Sequence, residues 1–147
     1  MPCLRLRDAT AEDLGLTYTI TEDAMRGYVE ETWGRWDNDE QFQKHRTNFT
    51  PETHKVILIG EVEAGFVAVE ELSAYIWLVK LYILAVHRGG GIGSEILQGI
   101  LRDAKTKGKP VQLRVLKVNT RAQSLYAKHG FRVVEETAER LVMQSVA

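Results

Sequence analysis

The chain has 147 residues, of which 44% are hydrophobic and 27% are charged, values typical of one soluble globular domain with its own core. Its 19 Lys and Arg residues are balanced by 20 Asp and Glu residues, so no basic field favours nucleic acid or a membrane surface as a partner. The single cysteine, Cys3, excludes a disulfide within the chain and a cysteine-rich metal site.

The chain begins with a predicted strand followed by two helices. The segment "CLRLRDA" alternates Leu4 and Leu6 with arginine, as a half-buried strand would. Thr10 is a candidate N-cap for a helix over 11–32, and a second helix is predicted over 37–48. Because this start has no apolar signal core, and because no segment approaches the about 18 apolar residues of a membrane span, we expect a cytoplasmic protein.

The middle and the end of the chain alternate strands with helices. The segments "HKVILIG" (54–60) and "GFVAVEEL" (65–72) predict two strands, and "YIWLVKLYIL" (75–84) predicts a central strand covered on both faces. From Gly91 the apolar residues follow a helical period that ends at "KGKP". The strand "VQLRVL", the short helix "NTRAQSLYAKHG" and the final strands "FRVVEET" and "RLVMQSV" follow. This order predicts a mixed α/β fold.

The segment "RGGGIG" (88–93) places four glycines between a strand and a helix. Such a loop can bring backbone N–H groups onto a phosphate at the helix N-terminus, with a tight turn as the alternative explanation of the glycines. A P-loop requires a lysine that this segment lacks. A dinucleotide site requires a third glycine where Ser94 stands and an acidic residue in the next strand, which "VQLRVL" lacks. A nucleotide-binding α/β protein is therefore disfavoured.

Two motifs resemble those of the GCN5-related N-acetyltransferases. Arg88, Gly91 and Gly93 match the Arg-x-x-Gly-x-Gly pattern of the family's pyrophosphate loop. The segment "NTRAQSLYAKHGF" matches a second family pattern at the following positions: Asn119, Ala122, Leu125, Tyr126, Gly130 and Phe131. Ala85 and Thr120 depart from the family, where proline is common at both positions.

The resemblance implies one N-acetyltransferase domain over 1–147, with a mixed, strongly twisted central sheet, helices on both faces and acetyl-CoA (coenzyme A) as the cofactor. The pantetheine arm would pair with backbone groups at the end of the long strand, and the pyrophosphate would bind the loop. The residues implied in cofactor binding are Ile83, Leu84, Ala85, Arg88, Gly89, Gly90, Gly91, Ile92, Gly93 and Ser94. Arg88 is either a phosphate contact or a solvated charge.

The resemblance also implies the catalytic groups. Tyr126 matches the family's general acid, which protonates the departing thiolate, although a core tyrosine is the alternative. Asn119 and Lys128 are candidate cofactor contacts, with an N-cap and a solvated lysine as the respective alternatives. Glu70 is the candidate general base, acting through water, with a solvated glutamate as the alternative. The histidines have no metal-ligand spacing, so no metal site is predicted.

The acceptor pocket of this family is shaped by the N-terminal helices. In "MRGYVEETWGRWDNDEQF" (25–42), Tyr28, Trp33 and Trp36 offer aromatic walls and Glu30 offers negative charge for an ammonium group. The alternative is that the aromatic residues only pack the helices onto the sheet. We expect a small primary amine as the acceptor, with a peptide or protein N-terminus or lysine, or a non-catalytic acyl-CoA-binding module, as alternatives. A homodimer through the two C-terminal strands stays open.

Overall fold

The structure is a computed structural model that describes residues 3–146. Its strands are β1 (Leu4–Asp8), β2 (His54–Ile59), β3 (Val62–Glu71), β4 (Ile76–Ile83), β5 (Val111–Leu116), β6 (Arg132–Glu136) and β7 (Arg140–Gln144). Its helices are α1 (Leu14–Trp33), α2 (Asn38–Asn48), α3 (Ile92–Thr106) and α4 (Thr120–Lys128). None of these helices is long and apolar enough to cross a membrane.

The strands form a mixed sheet of seven strands, in the order β1-β2-β3-β4-β5-β7-β6. Most neighbours are antiparallel, whereas β4 and β5 pair in parallel, with Ile76 opposite Val111 and Trp77 opposite Gln112. A parallel pair needs a crossover connection, and α3 lies between β4 and β5 in the chain. The predicted mixed α/β class and the central place of β4 are confirmed.

The chain divides into two compact units. The first unit runs to Ala68 and also contains Lys80–Gly90, and the second unit contains Val69–Val79 and the chain from Gly91 onward. The core of the first unit includes Phe66, Ile20 and Ile57, and that of the second includes Leu97 and Leu113, all of them fully buried.

Strand β1 differs from the prediction in the side chains that it buries. Leu6 is 42% exposed, so the expected half-buried leucine face is wrong at this position. Strand β1 lies at the edge of the sheet, and the Arg7 side chain on this strand is partly buried. The guanidinium of Arg7 donates to both carboxylate oxygens of Asp13, each at 2.9 Å, and Asp13 also accepts from the Thr10 N–H at 2.8 Å. A bidentate ion pair therefore ties β1 to the start of the helical segment.

The two N-terminal helices form close to where the sequence predicts them. A 3₁₀ turn over Ala11–Asp13 precedes α1, and Gly34 ends α1 in a left-handed conformation with φ of +90°. Between α1 and α2 lies a buried cluster of Tyr18, Val29 and Trp36. Phe42 of α2 packs against this cluster, with its ring centroid 5.1 Å from that of Tyr18, and this contact holds the two helices together.

Candidate active site

The glycine-rich loop follows β4 and leads into α3. Gly89 and Gly91 have left-handed φ angles of +89° and +80°, which residues with a side chain rarely adopt. Gly90 lacks such an angle, and a Cβ atom at Gly90 would meet no atom within 4 Å. A tight turn therefore accounts for Gly89 and Gly91 but not for Gly90. Close approach of a ligand to the backbone does account for a glycine at this position.

Helix α3 begins with amide groups that the helix itself does not use. Gly91 is the N-cap residue, and its carbonyl accepts a helical hydrogen bond from the Glu95 N–H at 3.0 Å. The N–H groups of Ile92, Gly93 and Ser94 lie in the first turn and have no acceptor within the helix. Together with the partial positive charge of the helix N-terminus, they form a site suited to a pyrophosphate.

The start of α3 lies beside α4. The Ser94 hydroxyl and Nε2 of His129 are 3.0 Å apart, within hydrogen-bond distance. A Cβ atom at Gly93 would lie 3.4 Å from Cδ2 of Leu125, so a larger residue at position 93 would press on α4. The structure thus brings together the two sequence motifs, which are separate in the chain.

Tyr126 lies on α4 between Leu125 and the end of the helix. Its side chain is buried, and its ring packs against that of Phe131 with the centroids 5.6 Å apart. The Tyr126 carbonyl accepts hydrogen bonds from the N–H groups of His129 and Phe131, at 3.0 and 3.1 Å, and these bonds fix the end of the helix. This burial and this ring contact fit the alternative of a core tyrosine, and the role of Tyr126 as general acid stays a prediction.

Asn119 and Lys128 lie at opposite ends of α4. Asn119 is the N-cap residue, because its Oδ1 accepts from the Ala122 N–H at 3.0 Å. This bond occupies the amide oxygen and leaves the Nδ2 group as the atom that would contact a cofactor. Lys128 is exposed in the last turn of the helix. Both residues thus have the structural placements that the sequence offered as alternatives, and cofactor contact by either residue stays a prediction.

The backbone at the end of β4 is partly occupied by hydrogen bonds within the first unit. The Leu84 N–H donates to the Ala64 carbonyl at 2.8 Å, and the Ala85 N–H donates to Oδ2 of Asp23 at 2.9 Å. The Ile83 carbonyl accepts from Nε of Arg88 at 3.1 Å. The N–H groups of Leu84 and Ala85, which were predicted to meet pantetheine or the thioester, thus already have acceptors, and the role of the Ile83 N–H stays a prediction.

The two glutamates at the end of β3 differ in their partners. Glu71 accepts from Lys107 and Lys109, each at 2.9 Å, and these hydrogen bonds lower the pKa of Glu71 to about 2. A carboxylate with so low a pKa is a weak base at neutral pH. Glu70 is exposed, and it remains the candidate base of the two.

The acceptor candidates lie on and after α1, in the first unit. Trp33 is 47% exposed, Tyr28 is half-buried, and Glu30 is exposed and paired with Arg26 at 3.4 Å. Trp36 is buried, with its ring 6.4 Å from that of Tyr18. This burial favours the packing alternative for Trp36 and leaves the other three residues as candidates.

Two residues that contact the predicted site were missed from the sequence. His129 stands inside the second motif, next to Gly130, and its bond to Ser94 could have been suspected from that position. Asp23 meets the turn after β4 although it lies 62 residues away in the chain, and no sequence pattern links the two.

Comparison with solved structures shows the same fold in N-acetyltransferases. The PaiA N-acetyltransferase of Thermoplasma acidophilum, solved in complex with coenzyme A, is 18% identical, with a TM-score of 0.77 and 99% of each chain covered. The ribosomal-protein-S18-alanine N-acetyltransferase of Escherichia coli is 17% identical, with a TM-score of 0.73 over 99% of this chain and 96% of that chain. Naa50 of Arabidopsis thaliana, in complex with a bisubstrate analogue, is 19% identical, with a TM-score of 0.67 over 98% and 99%.

Sequence comparison gives the family. A search of curated proteins finds no match. The model of the acetyltransferase (GNAT) family matches residues 17–131, a span that contains both motifs. The chain therefore belongs to the acetyltransferase (GNAT) family, as an N-acetyltransferase that uses acetyl-CoA, which confirms the predicted family, enzyme class and cofactor.

Proposed function

We propose that this enzyme transfers the acetyl group to a small primary amine by direct attack of the amine, with Tyr126 as the general acid. The observation that carries the proposal is the junction of α3 and α4, where Ser94 in the first turn of α3 is hydrogen bonded to His129, three residues after Tyr126. The glycine-rich loop would thereby bind the pyrophosphate, while the second motif, on α4, would hold the Tyr126 side chain near the start of α3.

Residues of the loop and of β4 would bind and orient the cofactor. The N–H groups of Ile92, Gly93 and Ser94 would bind the pyrophosphate, and Gly90 would allow the backbone to approach it closely. When bound, acetyl-CoA supplies an acetyl group activated as a thioester. The Ile83 N–H would donate a hydrogen bond to the thioester carbonyl oxygen, where negative charge develops in the transition state.

Two proton transfers involve side chains of this chain. Tyr126 Oη would donate a proton to the departing sulfur, which avoids release of a free thiolate. Glu70 would accept the proton of the attacking amine through a water molecule, because Glu71 is held as a weak base by its two lysines.

The acceptor is proposed from the exposed side chains of α1. Trp33 and Tyr28 offer apolar surface, and Glu30 offers negative charge for an ammonium group before it loses its proton. This combination fits a small amine with a flat or apolar body. A peptide N-terminus is the second candidate, since a similar fold in Naa50 was solved with a bisubstrate analogue that carries a peptide.

The test is turnover of acetyl-CoA with a panel of small amines and short peptides, measured by release of free thiol. Native protein should acetylate at least one small amine, identified by mass spectrometry. Tyr126→Phe should bind coenzyme A as tightly as native protein while its kcat falls by about 10²-fold or more, the range for loss of a general acid.

Each part of the proposal has its own contradicting result. Equal kcat in Tyr126→Phe would exclude the general acid. Acetylation of peptides alone would exclude the small-amine acceptor. Tight binding of acetyl-CoA without turnover of any amine would leave a non-catalytic acyl-CoA-binding module.

A further inference from the structure

The carboxylate of Asp23, on α1, reaches the turn that connects β4 to the glycine-rich loop. Its Oδ2 atom accepts a hydrogen bond from the Ala85 N–H at 2.9 Å. Ala85 is the first residue of a 3₁₀ turn over Ala85–His87, so its N–H has no acceptor within the turn. The same Oδ2 atom lies 3.9 Å from Nη2 of Arg88, just after the turn. One carboxylate therefore meets both ends of the turn.

The turn has little support from apolar packing. Val86 is 80% exposed and Ala85 is also exposed, so the turn buries little apolar surface of its own. The bonds from the His87 N–H to the Leu84 carbonyl and from the Arg88 N–H to the Ala85 carbonyl are local, at 2.9 and 3.2 Å. Local bonds shape the turn but do not orient it on the rest of the unit. Its orientation is set by the Leu84 N–H bond to the Ala64 carbonyl, just before the turn, and by polar side chains from outside the turn.

Arg88 links Asp23 to the end of β4. Its Nε donates to the carbonyl of Ile83, the last residue of β4, at 3.1 Å. The Arg88 side chain thus folds back onto its own strand and is 25% exposed. Asp23 and Arg88 together hold the end of β4 and the start of the loop in one arrangement.

We propose that Asp23 is a positioning residue, which fixes the turn between β4 and the glycine-rich loop for binding of acetyl-CoA and acts partly through Arg88. This inference rests on the proposed function. The main contribution comes from the hydrogen bond to the Ala85 N–H, because a carboxylate strengthens such a bond. The pair with Arg88 is long and partly exposed, so it contributes less.

The experiment compares three variants with native protein. Asp23→Ala removes both contacts, Asp23→Asn keeps an oxygen that can accept from the Ala85 N–H, and Glu31→Ala removes one negative charge from an exposed position elsewhere on α1. Each protein is titrated with coenzyme A by calorimetry. Amide hydrogen exchange of Ala85 in the free protein and the free energy of unfolding are measured beside it.

Asp23→Ala should raise the Kd for coenzyme A about tenfold, the loss expected for one charge-assisted hydrogen bond. Exchange at Ala85 should accelerate about tenfold or more, whereas amides in the core of β3 should exchange as in native protein. Asp23→Asn should recover part of both effects, and Glu31→Ala should match native protein.

Two results would overturn the inference while leaving the proposed function intact. One is an unchanged Kd in Asp23→Ala beside tight binding by native protein. The other is an equal loss of affinity in Glu31→Ala, which would show an effect of charge rather than of position. Absence of coenzyme A binding by native protein would refute the proposed function itself, together with the role of Asp23 in cofactor binding, whatever the exchange rate at Ala85.

Discussion

Acidification from neutral pH should destabilise this protein through a buried histidine. His45 on α2 is 3% exposed and lies 2.8 Å from the Thr17 hydroxyl through its Nε2 atom. The Thr17 hydroxyl donates to the Asp13 carbonyl at 2.8 Å, so Nε2 of His45 must carry the proton that bonds the hydroxyl oxygen. Within residues 3–146, Nδ1 of His45 has no hydrogen-bond partner.

Protonation at Nδ1 would place a charge in this buried site. Desolvation, followed by repulsion from Lys80 and His54, lowers the pKa of His45 from 6.5 to about 4. Because the unfolded chain binds this proton at a higher pH than the folded chain, stability is lost as the pH falls from 6.5 to about 4. At about 1.36 kcal/mol for each pKa unit, the loss by pH 4.5 is about 2 to 3 kcal/mol. Burial also lowers the pKa of His54, which adds to the loss in the same direction.

Urea unfolding followed by tryptophan fluorescence between pH 7.5 and 4.5 measures this loss. His45→Gln is the matched variant, because an amide can still donate to Thr17 but does not titrate. Its stability should fall less than that of native protein over the same range. Asp13, whose pKa is lowered from 3.8 chiefly by its hydrogen bond from Arg7, loses its contribution only below this range. Equal pH dependence of the two proteins, or stability of native protein that is flat to within about 0.5 kcal/mol, would refute the assignment to His45.

Three further results are expected. Gly91→Ala should lower the free energy of unfolding by about 1 to 2 kcal/mol, because residue 91 has a left-handed φ. Gly90→Ala should change the free energy of unfolding by less than about 0.5 kcal/mol but weaken coenzyme A binding. Native affinity for coenzyme A in a stable Gly90→Ala protein would contradict pyrophosphate binding at residue 90. Glu70→Gln should lower kcat at neutral pH more than Glu71→Gln does, and the reverse order in steady-state kinetics would exclude Glu70 as the base. Asp13→Asn should lower the free energy of unfolding by about 2 kcal/mol, because it breaks the bidentate pair with Arg7 of β1. Urea titration at pH 7 measures this loss, and a loss well below about 2 kcal/mol would show that the pair contributes little.

The sequence alone predicts most elements of the fold to within a few residues. Periodicity and helix-breaking residues act locally, so the sequence alone predicts the apolar run of β4, the helical period of α3 and the end of α1 near residue 32. The boundary of β3 is an exception. Ile59 pairs with Val62, so the hairpin loop is shorter and β3 begins three residues earlier than predicted.

The family and its cofactor were also determined by sequence, because two motifs with defined spacing carry them. The sequence did not determine which contacts each motif residue makes within the fold. Local sequence could not decide between the turn and the ligand explanations of the glycines, since the difference lies in φ at Gly89 and Gly91 and in the open space at Gly90. It also could not tell whether Asn119 caps α4, which its bond to the Ala122 N–H now shows.

Tertiary structure decided which polar and aromatic side chains meet partners from distant segments. Trp36 is buried with Tyr18, whereas Trp33, three residues before it, is exposed. Glu71 is bound by two lysines that follow it by 36 and 38 residues, and Asp23 meets Ala85 across 62 residues. Periodicity reports which face of an element is apolar, but it contains no information about which distant charge or N–H group that face will meet. Those contacts arise only when the strands and helices pack, and here they set the roles of the residues around the proposed site.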